Sequence, residues 1–205
     1  KAYTVSYSSS TNNAQYEVFD SGVINANEFT IPSGKLEPNI LYQLFVIINF
    51  NGKYYSSSKL FRTPKVAPTI NFTNLLKQKH SVVELNARSN STGKITYEII
   101  GNANGATLSA SSLNLGESGA ITLRANLEGD YQYLSSSKDI TITIVNEQVT
   151  EIPDANFEQV LINLGYDTTI DSGVITNNIK NITNLVVNNS NIKSLKGIED
   201  FTALN

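Results

Sequence analysis

Residues 182–205 read ITNLVVNNSNIKSLKGIEDFTALN, and the fold turns on how that stretch is read. Its apolar residues fall at Ile182, Leu185, Val187, Ile192, Leu195, Ile198, Phe201 and Leu204. That spacing follows neither a sustained helical period nor the period of a strand. It predicts one coil of a stacked-repeat array: a short strand around Leu185–Val187, a tight corner at Asn188–Asn191, and a return segment that turns Leu195 and Ile198 inward. One coil cannot bury its own apolar face, and about three or more are needed for a stable array. The open end near Leu204 presents an unpaired strand edge, which invites self-association edge to edge.

Just upstream, residues 152–166 read IPDANFEQVLINLGY. Asp154 follows Pro153 and suits a helix N-cap. Phe157, Val160, Leu161 and Leu164 then mark one helical face, and Gly165 is a natural stop. A second, shorter helix is expected over Asn177–Asn181. Helices that shield the first coil of an array are what a capping segment requires. IPDANFEQVL followed by NITNLVVNNSNIKSLKGIEDFTALN resembles the N-terminal cap and first repeat of internalin-type leucine-rich repeat proteins. Gly197-Ile198-Glu199 and Phe201-x-x-Leu204 carry the match, and Ser190 departs where the turn usually has Asn. The resemblance implies a repeat array that binds a protein or a glycan, on a secreted or cell-surface bacterial protein.

Residues 69–147 alternate at period 2 in TINFTNL, SVVELNA, KITYEII, GAITLRANL and DITITIV. Breaks at Thr92-Gly93, Gly101–Gly105, Gly116–Gly119 and Gly129-Asp130 separate most of them. The expected inward set is Val83, Leu85, Ile95, Tyr97, Ile99, Leu108, Leu113, Leu115, Ile121, Leu123, Ala125, Ile140, Ile142 and Ile144. The run from ITYEII to DITITI, with its Gly129-Asp130-x-x-Tyr133 element, resembles the immunoglobulin-like repeats of bacterial surface proteins. Such modules act mainly as spacers.

Residues 1–65 also read as short strands: YTVSY, a break at STNNA (10–14), QYEVF, a turn at DSG (20–22), Phe29–Ile31 and LYQLFVIINF. Asn51-Gly52 is a strong type I′ hairpin signal, because both residues tolerate positive φ. Leu36-Glu37-Pro38-Asn39-Ile40-Leu41-Tyr42 resembles the tyrosine corner of fibronectin type III modules, whose phenol bonds back to backbone upstream. About 65 residues fall short of the 90 or so of a full seven-stranded sandwich. Pro64-Lys65-Val66-Ala67-Pro68 reads as an extended linker. The expected architecture is therefore mainly β: two β-sandwich modules in tandem, 1–65 and 66–147, followed by a small helical cap and the first leucine-rich coil, 148–205.

Composition excludes several activities. The chain has 205 residues and a net charge of -3. Its scattered Lys and Arg give no basic face for nucleic acid. No apolar run is long enough to span a bilayer. With no Cys there are no disulfides, thiolate nucleophiles or zinc–sulfur sites. The lone His80 lies in the polar run KQKHSV, away from any triad partner. No Met occurs, even at position 1, which reads as a processed or excised piece.

Asp167, Thr169 and Asp171 have the 1, 3, 5 spacing of an EF-hand calcium loop. Position 6 is Ser172 rather than Gly, and position 12 is Asn178 rather than Glu, so the stretch reads as a solvated turn and no cofactor is expected. Glu199-Asp200 and Glu147/Glu151 read as surface acids, not a converging glycosidase pair. Tyr54-Tyr55 and Tyr131/Tyr133 read as core or loop covers before a glycan platform. The expected function is non-enzymatic: a stalk and cap for an adhesive array, with an accessory region of a secreted polysaccharide-degrading enzyme as the alternative.

Overall fold

Strands dominate the chain, as its period-2 alternation requires. The structure is a computed structural model that describes residues 2–8, 15–24, 26 and 28–205. Two units divide it: the first takes in the chain as far as Pro68 together with Gly129–Ser135, the second Thr69–Glu128 and Ser136–Asn205.

In the first unit, β1 (Ala2–Ser8), β2 (Gln15–Val23), β3 (Leu41–Phe50) and β4 (Lys53–Arg62) form one antiparallel sheet in the order β2-β1-β3-β4. Asn51 (φ 51°) and Gly52 (φ 74°) make the two-residue turn that brings Phe50 opposite Lys53. The DSG stretch, expected to be a turn, lies within β2. The register against β1 slips there, with Gly22 at φ 60°, so the chain absorbs its extra residue as a bulge and the strand continues. Phe29–Ile31 is not a strand; the Phe29 ring stacks instead on Phe19, centroids 5.4 Å apart. The break read at 10–14 lies outside the described residues.

Tyr42 is 2% exposed, and its phenol oxygen accepts from the Glu37 backbone N–H at 2.7 Å. Thr63 Oγ1 donates to Glu37 O at 2.7 Å and fastens the same corner to the end of β4. Among the described residues this unit holds one sheet, not the two that a sandwich stacks. The expected linker is hydrogen-bonded: Val66 N–H donates to Gln132 O at 3.1 Å, and Leu134 N–H donates to Val66 O at 2.9 Å.

In the second unit, short strands precede long ones. β5 (Ile70–Asn71), β6 (Leu75–Gln78), β7 (Val82–Glu84), β8 (Arg88–Ser89) and β9 (Ile95–Ile100) come first. β10 (Thr107–Ser109), β11 (Ser112–Asn114), β12 (Gly119–Leu127) and β13 (Ser136–Val145) follow. A four-stranded sheet β6-β13-β12-β9 and a three-stranded sheet β10-β11-β7 share one apolar core. All fourteen residues expected to face inward belong to that core or pack against it, joined by Phe72 and Ala106. β6 runs parallel to β13, a pairing that alternation alone does not specify.

The remainder of this unit is β14 (Val149–Glu151), helix α1 (Ala155–Asn163), β15 (Gly173–Ile175) and the single-turn helix α2 (Thr176–Ile179). A second core unites Ile152, Phe157, Leu161, Val174, Ile179, Ile182 and Phe201, with Leu185, Val187, Ile192, Ile198 and Leu204 packed against it. The corner at 188–191 turns with Asn189 and Asn191 at left-handed φ of 54° and 53°. Leu185–Val187 is not hydrogen-bonded as a strand, because no second coil lies beside it among the described residues. Leu195 differs from expectation: it is 46% exposed, since a single layer offers nothing for it to pack under. Ile198 opens a 3₁₀ turn, Ile198–Asp200, and does pack inward.

Candidate functional site

Helix α1 positions a group of three clustered acids. Its start is fixed as the sequence predicts. Asp154 Oδ1 accepts from the N–H groups of Asn156 and Phe157 at 3.0 and 3.1 Å. Its other oxygen accepts from Lys193 and Ser194 N–H at 2.7 and 2.9 Å, so one carboxylate caps the helix and holds the returning coil. The Lys193 amide is the main reason the Asp154 carboxyl lies below its usual range. At the other end Gly165 N–H bonds Ile162 O and Tyr166 N–H bonds Leu161 O, the paired bonds of a Schellman stop.

The apolar face is narrower than its spacing suggests. Phe157 and Leu161 are buried, Leu164 is exposed, and Glu158 is 1% exposed. Glu158 is drawn inward by a turn thirteen residues further on. Its Oε1 accepts from Asp171 N–H at 2.9 Å and Gly173 N–H at 3.0 Å. Ser172 holds this turn at φ 63°, and Leu76 N–H donates to Asp171 O at 2.9 Å, tying it to β6. Gly173 is required for closeness: a Cβ there would lie 2.9 Å from Val149 Cγ1 and 3.2 Å from Leu76 O.

The turn delivers Asp171 beside Glu158, and the loop after α1 delivers Asp167. One carboxylate oxygen from each of Glu158, Asp167 and Asp171 lies within 4.8 Å of the other two. Asp171 is 8% exposed. Glu158 Oε2, Asp167 Oδ2 and Asp171 Oδ1 are each buried with no hydrogen-bond partner. Among the described residues no basic side chain forms an ion pair with any of them. Burial, then the neighbouring carboxylates, push Asp171 up to about 7, and burial raises Glu158 and Asp167 as well. A cleft of about 360 Å³, lined by Tyr166, Asp167, Thr168, Thr169 and Asp171 among others, gives water access to the edge of this cluster.

The loop does not work by its EF-hand spacing. Asp167 and Asp171 converge while Thr169 is exposed, and the third acid comes from α1. Asn178, at the twelfth position, donates instead to Tyr166 O at 3.2 Å. The missed residue, Glu158, lies on the flank of the apolar face, about 60° round the helix from Leu161, and no local signal marks it for burial.

The other acids are surface groups. Glu151 lies between Lys77 and Lys196, whose bonds hold it at about 2. Asp200 Oδ2 accepts from the buried Thr150 hydroxyl at 2.6 Å and ties the 3₁₀ turn to β14. His80 is exposed, 3.6 Å from Glu117, at left-handed φ of 58°. Among the described residues no helix is long and apolar enough to cross a membrane. Neither a protein-family model nor a curated protein matches the chain.

Proposed function

We propose that this chain is a non-enzymatic segment of a secreted or cell-surface bacterial leucine-rich repeat protein. The β units serve as an immunoglobulin-like and fibronectin-like stalk, and residues 148–205 cap an array that binds a protein or a glycan in adhesion. One observation carries the reading. Phe157 and Leu161 of α1 bury themselves against Ile182 and Phe201, with Leu185, Val187 and Ile198 packed around them. A helix whose apolar face is spent on one side of a coil, while Val186 and Leu195 stay exposed on that coil, is the arrangement a cap needs.

The test is to append leucine-rich repeats of 22-residue period after Asn205. A cap templates them, so the fusion unfolds in one transition at higher urea than the parent chain. Appended repeats that stay unstructured refute the assignment.

The alternative, an accessory region of a polysaccharide-degrading enzyme, is favoured by the exposure of Tyr54, Tyr55 and Tyr131 in the first unit. A glycan array of the purified chain separates the two. Sugar binding abolished by Tyr54→Ala or Tyr131→Ala supports the accessory region, and no binding supports the stalk.

A further inference from the structure

Three acids share a buried corner of the second unit, and their own hydrogen bonds do not account for all their oxygens. Glu158 is nearly sealed from solvent; one of its oxygens is satisfied by two backbone N–H groups, and the other has no donor. Asp171, also more than nine-tenths buried, and Asp167 each present one further buried oxygen without a donor. A buried carboxylate oxygen without a partner is costly, and three facing one another add mutual repulsion. The backbone nevertheless builds the cluster deliberately: a left-handed Ser172, a Gly173 that cannot be enlarged and two amides aimed at Glu158 all hold it in place.

We propose that Glu158, Asp167 and Asp171 bind one hard divalent cation of the Ca²⁺ or Mg²⁺ class. The donors are all carboxylate oxygens, and neither imidazole nor thiolate is at hand, which excludes a zinc- or copper-type set. Oxygens within 4.8 Å of one another are close enough to share one ion, at the about 2.4 Å of Ca²⁺ or the 2.0–2.1 Å of Mg²⁺. Three acids do not fill the six to eight positions Ca²⁺ takes. The cleft beside Asp167 and Asp171 supplies water for the rest and the path of entry. The ion would join α1 to the 167–173 loop and so brace the floor of the second core. This inference needs only the fold of the second unit and stands whether or not residues 148–205 cap an array.

The experiment uses the whole chain, stripped with a chelator, in calorimetric titration and thermal melting. The expected result is one Ca²⁺ per chain with a dissociation constant of about 10⁻⁴ M or tighter, and a melting temperature raised by roughly 5 °C at saturation. Asp171→Asn weakens binding at least tenfold yet melts no lower than wild type in chelator, because it removes a repelling charge. Asp167→Asn, at the more open position, gives the same loss of binding with less demand on folding. No heat and no melting shift with Ca²⁺ or Mg²⁺ up to about 10 mM overturns the proposal and leaves a proton shared between Glu158 and Asp171 as the filler. Binding that survives both substitutions overturns it too.

Discussion

Single side chains decide how the C-terminal segment is held. Asp154 serves two elements, so Asp154→Ala loses a helix cap and the two coil amides together. The expected result is a fall in melting temperature of roughly 2–5 °C, larger than a cap alone gives in a unit of this size, with Asp154→Asn intermediate. Gly197 sits at φ 98°, and a Cβ there would meet Glu151 O and Ile152 Cδ1, each at 2.5 Å. Gly197→Ala should cost about 2–4 kcal/mol in urea unfolding, from strain and overpacking combined. Glu151 titrates below its unfolded value because Lys77 and then Lys196 favour its ionised form. Its contribution is therefore present above pH 4.5 and lost as pH falls towards about 2. Half-exposed and screened, it is worth below about 1 kcal/mol, so Glu151→Gln should flatten that acid limb only slightly in a pH series of urea midpoints. Asp154 is legible in the sequence because Pro-Asp before an apolar face is a local signal. Glu158 is not, because its burial depends on amides thirteen residues away.

Elements were readable where one face is buried and the turn chemistry is local. β12 and β13 alternate cleanly, and their inward residues form the centre of the first core. Leu123→Ala, at a fully buried position between Ile140 and Ile99, should cost about 2–5 kcal/mol in urea unfolding. Asn51-Gly52 announces its hairpin because both residues accept positive φ. The β10–β11 hairpin gives no such warning: Ala110 takes φ 53° without a Gly or Asn to signal it. The short strands β5 and β6 divide what reads as one alternating run, TINFTNL, because the chain changes partner between them: β5 pairs with β8 and β6 with β13. The acid cluster is an element-level feature of the same kind. The 1, 3, 5 spacing finds two of its members, but a loop pattern cannot supply a ligand from a helix.

For the molecule as a whole, the β content was legible in the sequence. Composition, turn spacing and alternation dictate a mainly β chain. The sequence reading divides it at 65/66 and 147/148, whereas the chain groups residues 148–205 with Thr69–Glu128. Leu76 bonds to the 171–173 turn and Lys77 pairs with Glu151, contacts between residues too far apart in sequence to be signalled by any linker composition. The claim on which the functional account rests is that α1 closes the core of the C-terminal coil. Native-state hydrogen exchange of the full chain, wild type against Phe157→Ala, tests it most directly. The account predicts that the amides of Ile182, Phe201 and Ala203 exchange roughly 100-fold faster or more in the variant, while Ile121–Ala125 of β12 are unchanged. Coil amides that exchange at the same rate with and without the Phe157 ring would contradict it.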